Sequence, residues 1–176
     1  SEEAMAEGIA SARWPARLQL LGAGPLTSLA GGRKVWLDGG HNPDAGLAIA
    51  EFFRRPGLDP GPLAASAQGH ADRPAVPDQV RDDVKLHLII GMLANKDAGA
   101  IVGPNRDHLL SVSVVPAPGH EAHPPETFAA HTDLKVNSFS GIERALRALS
   151  PTGDVLIAGS LYLAGEVLRL NQEIPD

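Results

Sequence analysis

The sequence predicts an α/β domain whose sheet is mostly parallel and covered by helices on both faces. Two observations carry that expectation. Short apolar blocks alternate with segments patterned for helices, and the blocks are apolar throughout rather than at every second residue, as strands buried on both faces require. The length of 176 residues suits one such core better than two, so 1–176 is expected to be a single domain.

Taken in order, Glu2 to Ala12 is alanine-rich with polar flanks and predicts a helix. It should end near Trp14-Pro15, because proline disfavours helical geometry at the residue before it. Arg17 to Leu21 follows as an extended piece. Gly22 to Gly32 is rich in turn formers, and Lys34 to Leu37 behind it has the pattern of a short buried strand. Asp38-Gly39-Gly40 then turns the chain. Asn42 is a suitable N-cap, Pro43 suits the first helical position and Asp44 the first turn, which predicts a helix over Pro43 to Arg54. The stretch 56–85 is rich in proline and glycine and poor in large apolar residues, and is expected to be an irregular insertion. Beyond it come a strand at Leu86 to Ile90, a helix from Asp97 to about Asp107 and a strand at Leu110 to Val115. A short helix opened by Pro124-Pro125-Glu126 runs through Ala130, and Leu134 to Val136 is a brief strand. Ser140 to Leu149 is a helix with Ile142, Leu146 and Leu149 spaced for one face. Val155 to Ala158 is the last strand, and Leu161 to Leu170 the last helix.

Composition narrows the function classes. Fifteen Lys and Arg against twenty-one Asp and Glu give a net charge of -6 with no basic stripe, which argues against a nucleic-acid partner. The absence of cysteine excludes disulfides, thiolate metal sites and a catalytic thiol. The acidic start of the chain lacks a signal pattern, and no apolar run approaches the roughly 18 residues of a membrane span. A soluble, cytoplasmic protein without a membrane partner is therefore expected. No Gly-Lys dipeptide occurs, so a phosphate-cradling loop of the Gly-Lys-Ser/Thr type is missing, and any handling of ATP here would use only part of a site. Gly22-Ala23-Gly24-Pro25 is not a dinucleotide fingerprint either: its third glycine is absent and no strand-to-helix turn is expected around it.

In sheets of this kind ligands gather at the carboxyl ends of the strands. Three loops are expected there: Asp38 to Asn42, Gly91 to Asp97 and Gly159 to Ser160. The first puts a carboxylate (Asp38) and an imidazole (His41) beside a helix start capped by Asn42, a turn that could accept ribose hydroxyls, an ammonium or a carboxylate. Equally, Asp38 and Asn42 could serve only the backbone amides of a tight turn. No third ligand stands at supporting spacing, so no metal is assigned. Arg17 could fork onto a phosphate or be a solvated charge. Asp97 is a plausible helix cap, Lys96 a ligand contact or a solvated side chain, and Ser160 either a ligand contact or the cap of the last helix.

Four of these segments, in this order, resemble the C-terminal domain of folylpolyglutamate synthases and dihydrofolate synthases, members of the Mur ligase superfamily. Trp14-Pro15-Ala16-Arg17-Leu18-Gln19 is similar to that family's Pro-Gly-Arg-Leu/Phe-Gln/Glu segment. Leu37-Asp38-Gly39-Gly40-His41-Asn42-Pro43 is similar to its Leu-Asp-Gly-Ala-His-Asn-Pro, and Gly91 to Asp97 to its Gly-Met-Leu-x-Asp-Lys-Asp. Gly159-Ser160-Leu161-Tyr162-Leu163-Ala164-Gly165-Glu166 is similar to its Gly-Ser-Leu-Tyr-Leu-x-Gly-Glu. The resemblance implies a Rossmann-like sheet of the Mur ligase C-terminal type. It also implies an ATP-dependent ligase that phosphorylates the carboxylate of folate or dihydropteroate and lets the amine of L-glutamate displace the phosphate. By the same resemblance Arg17 and Asp38 bind the nucleotide, and His41, Asn42 and Ser160 line the substrate side, with His41 and Ser160 in catalytic roles. Mg2+ ligands and the P-loop are implied in an N-terminal ATPase domain that is absent here, which makes the isolated chain inactive. Ala16 stands where the family has glycine and Gly40 where it has alanine. A different Mur-type amino-acid ligase and a non-catalytic α/β binding module are the competing readings.

Overall fold

In the computed structural model, residues 16–54 and 84–173 are described. The helix expected over Glu2 to Ala12 and nearly all of the expected insertion lie outside them. Six strands form one sheet: β1 (Gln19–Leu20), β2 (Val35–Asp38), β3 (Leu86–Ile90), β4 (Leu109–Val114), β5 (Val136–Ser138) and β6 (Asp154–Ala158). Their spatial order is β1-β2-β6-β3-β4-β5. Every neighbouring pair is parallel except β1 with β2, an antiparallel edge.

Among the described residues, six α-helices cover the sheet: α1 (Pro25–Leu29), α2 (Pro43–Arg54), α3 (Gly99–Asn105), α4 (Pro125–Ala129), α5 (Ile142–Ala148) and α6 (Leu161–Asn171). The alternation of side chains along the strands divides the core in two. Val35, Leu37, Ile89, Val155 and Ile157 pack with α1, α5 and α6 on one face. Trp36, Leu88, Ile90, Leu156 and Ala158 pack with α2, α3 and α4 on the other. Both faces of the central strands are therefore dry, which is why their sequences are apolar on both faces apart from such residues as His87 within β3 and Asp38 at the end of β2. No helix among the described residues is long and apolar enough to cross a membrane.

The expected elements that fall among the described residues are present, some with shifted bounds. Pro25–Leu29 is helical within a stretch expected to be all turns, so Gly22 to Gly24 does join a strand to a helix. This short helix forms because Pro25 opens it, Thr27 Oγ1 accepts from the Gly24 amide at 2.8 Å, and Asn171 of α6 receives the Leu26 and Thr27 amides at 3.0 and 3.3 Å. Two amides of its first turn are thus received by a side chain from the far end of the chain, which no local pattern could announce. The strand expected at Leu134 to Val136 lies two residues later, because Val136 to Ser138 are the residues that meet Val112 to Val114 in register. Helix α3 starts at Gly99 rather than Asp97; Asp97 Oδ1 accepts the Gly99 amide at 2.9 Å, the capping role expected of it.

Strand β6 sits between β2 and β3, although both precede it in sequence. Strands β3, β4 and β5 step outward in order and the chain then returns to fill the gap. The winding reverses beside β6, so the carboxyl ends of β2, β6 and β3 lie at the switch point where open α/β sheets hold ligands, and this edge is the candidate crevice.

Candidate active-site crevice

The three loops expected to carry polar function leave three neighbouring strands. Asp38 pairs with Ala158, and Ala158 with Ile90, so β2, β6 and β3 end level with one another. The Gly91 amide donates to the Ala158 carbonyl at 3.1 Å. Gly159 has φ +116, and a β-carbon there would press on Ile90 and the Gly91 carbonyl. Glycine lets the β6 loop turn sharply against its neighbour.

Asp38 is 8% exposed and both of its oxygens are engaged. Oδ1 accepts from the Gly40 amide at 2.6 Å and Oδ2 from the Leu18 amide at 2.9 Å. Burial pushes the carboxyl above its ordinary value, while the Gly40 and Leu18 amides and the charge of Arg17 pull the other way. Two further acceptor positions of the carboxylate remain. The Gly39 amide also donates to the Ala16 carbonyl at 2.7 Å. Segment 16–18 is thus tied at both ends to the β2 turn, with Ala16 at φ 60 and Leu18 at φ 42. The side chains of Ala16 and Leu18 are buried and that of Arg17 is exposed between them. The piece expected to be extended over Arg17 to Leu21 is bent at its start, and Gln19–Leu20 is the part that pairs as a strand.

Asn42 caps α2, with Oδ1 accepting the Ala45 amide at 2.9 Å. His41 is half-buried and its Nδ1 lies 3.4 Å from the Gly39 carbonyl, so it faces its own turn. Ser160 is 1% exposed and caps α6, its Oγ accepting the Leu163 amide at 3.1 Å. Lys96 is held through its carbonyl, 2.6 Å from His123 Nε2. Arg17, Asp38 and His41 thus meet at one turn, Ser160 lies one strand away with its hydroxyl turned to its own helix, and Lys96 belongs to the loop beyond.

A fourth loop, between β4 and α4, was not singled out from sequence. It lies against the Gly91 to Asp97 loop through the Leu93–Ala122 bridge, the Ala94 amide to the Glu121 carbonyl at 3.0 Å, and the His123 amide to the Met92 carbonyl at 3.0 Å. Its His120 ring stacks on Tyr162 with centroids 3.7 Å apart. Leu161 and Tyr162, at the start of α6, are 64% and 51% exposed. Helical periodicity could have found this pair, since Leu163, Ala164, Val167 and Leu168 define the buried face of α6 and leave Leu161 and Tyr162 outside it.

No family model matches the chain. A folylpolyglutamate synthase of Lacticaseibacillus casei is 28% identical over 167 residues, which is 92% of this chain and 30% of that protein. A protein of Halobacterium salinarum named as a probable bifunctional folylpolyglutamate synthase/dihydropteroate synthase is 29% identical over 175 residues, 94% of this chain and 17% of its own. The chain resembles the folylpolyglutamate synthases. Solved structures extend the likeness to the fold. The Mycobacterium tuberculosis folylpolyglutamate synthase, complexed with ADP and AMPPCP, superposes with a TM-score of 0.68 at 18% identity over 100% of this chain and 36% of that one. The Yersinia pestis bifunctional folylpolyglutamate synthase/dihydrofolate synthase with Mn, AMPPNP and L-glutamate bound gives 0.63 at 21%, over 96% of this chain and 34% of that one. The chain therefore spans about a third or less of the folylpolyglutamate synthases it matches.

Proposed function

We propose that the chain is the C-terminal domain of an ATP-dependent ligase that joins L-glutamate to folate or dihydropteroate, and that it supplies one wall of a site shared with an N-terminal P-loop ATPase domain. The observation that carries this reading is the meeting of Arg17, Asp38 and His41 at a single turn on a crevice bordered by the Gly159-Ser160 loop. In this reading the Arg17 guanidinium forks onto the ATP phosphates, and Asp38 uses its remaining acceptor positions on the nucleotide. The folate carboxylate attacks the γ-phosphorus and ADP leaves. The glutamate amine then adds to the acyl carbon, loses a proton and expels inorganic phosphate. His41 and Asn42 border the substrate side, and Ser160 holds the start of α6 against it. The divalent metal, Mg2+ in the complete enzyme, would be bound by the other domain. The enzyme would act in the cytoplasm.

The decisive experiment compares the isolated chain with a fusion to the P-loop domain of a folylpolyglutamate synthase, following ADP release with L-glutamate and either folate or dihydropteroate. The expected result is no turnover by the chain and restored turnover by the fusion. Substrate-dependent ADP release by the chain alone would overturn the division of labour. A fusion that folds, binds ATP and still turns over neither acceptor would overturn the reaction.

A further inference from the structure

We propose that Asp38, besides the nucleotide contact given above, positions Arg17, its carboxylate closing a backbone clamp that presents the arginine at the mouth of the crevice. Its consequence for phosphate binding rests on the function proposed above; the clamp itself does not.

Segment 16–18 has left-handed φ values at two non-glycine residues, Ala16 and Leu18, which are unfavourable for L-residues and persist only where the surroundings impose them. Three hydrogen bonds impose them here. The Gly39 amide holds the Ala16 carbonyl at 2.7 Å, Gln19 Oε1 accepts the Ala16 amide at 3.1 Å, and Asp38 Oδ2 accepts the Leu18 amide at 2.9 Å. Only the last comes from the end of β2 through a side chain. The other carboxylate oxygen closes the turn on its own side by taking the Gly40 amide, so one group couples two loops. Burying Ala16 and Leu18 on either side leaves Arg17 the one outward side chain of the bend. Asp38 lies close enough to feel the guanidinium charge. Ala158 of β6 pairs beside it, and Leu161 of α6 covers the adjacent Gly39 so closely that a β-carbon there would overlap it. His41 shares the turn.

A carboxylate offers an acceptor to each amide, whereas a carboxamide offers one oxygen for two donors. Asp38→Asn should therefore release either Leu18 or Gly40. The test is nuclear magnetic resonance on the 176-residue chain, without any ligand. In the wild type, the Leu18 and Gly40 amide protons and the Arg17 Nε–H resonance should titrate with one midpoint, that of the Asp38 side-chain carbonyl carbon. In Asp38→Asn, at least one of the two amides should exchange with solvent about tenfold faster or more, as losing one hydrogen bond implies, and the Arg17 resonance should move toward a solvated position. Amides on β3 and β6 should keep their protection. Leu18 and Gly40 signals that ignore the Asp38 titration would overturn the proposal, as would an Arg17 signal unchanged in Asp38→Asn. Should Asp38→Asn unfold the chain, the wild-type titration alone decides. Because no nucleotide is involved, failure of the ligase reading would leave this result intact.

Discussion

Ala16 occupies a backbone conformation that costs an L-residue roughly 1–2 kcal/mol, yet its methyl group is buried in the core. Glycine at that position would relieve the strain, forfeit roughly 0.8 kcal/mol of methyl burial and add roughly 0.5–1 kcal/mol of unfolded-state entropy. These nearly cancel. Ala16→Gly is expected to leave the urea midpoint almost unchanged, whereas the β-branched Ala16→Val should lower it clearly, because its side chain tolerates positive φ least. His87 gives a second test at this scale. It is buried, with Nδ1 2.7 Å from Ser111 Oγ and Nε2 2.8 Å from the Thr152 carbonyl. Burial pushes the imidazole below its ordinary 6.5, with the Thr152 contact opposing and the charge of Arg33 adding to the fall. The folded state thus binds fewer protons than the unfolded chain between that lowered value and 6.5, so stability is whole above 6.5 and declines as pH falls through the window. Urea midpoints followed from pH 7 to about pH 5 should fall less steeply in His87→Gln than in the wild type. Asp38 has the opposite sign. Its raised value means stability is lost as pH rises above 3.8 through the folded midpoint.

Between elements, the closest approach is that of α2 and α3 at Gly46. A β-carbon there would overlap the Ala100 carbonyl oxygen and press on Pro104. The Gly46 carbonyl accepts from Asn105 Nδ2 at 3.1 Å, and the same amide donates to Ile101 at 2.8 Å. Gly46→Ala would force the helices apart and strain that buried bond. A loss of about 1–3 kcal/mol is expected, measured by urea denaturation, even though alanine is the better helix former by roughly 1 kcal/mol. Helix α2 was legible residue for residue because its signals are local: Asn42, Pro43 and Asp44 at one end, Arg54 at the other. Helix α1 was not, because two amides of its first turn are received by Asn171, which lies far along the chain. The strand at Val136 to Ser138 was displaced for a similar reason, since parallel register belongs to the partner strand rather than to the segment.

At the scale of the whole molecule, the return of β6 between β2 and β3 converts separated motifs into neighbours. Within the fused ligase, Arg17→Ala should lower kcat/KM by about 10- to 100-fold, the range expected for losing a charge-assisted hydrogen bond of roughly 1.5–3 kcal/mol. Asp38→Asn in the fusion should cost at least as much, because it loses a nucleotide contact as well as the hold on Arg17, and the double variant should lose less than the product of the two single losses.

The sequence by itself determined the layered α/β class, the order of nearly every element and the residues that line the strand ends, because hydrophobic period, caps and turn chemistry are properties of adjacent residues. It also contained Arg17, Asp38, His41, Asn42 and Ser160, but left open what each side chain touches. Asn42 and Ser160 take the local alternative and cap their own helices, whereas only the tertiary structure joins Asp38 to the amides of two loops, one before β1 and one after β2. Which donor fills an acceptor depends on strands that meet only after the chain has folded, and the Leu18 amide lies 20 residues from the carboxylate that receives it.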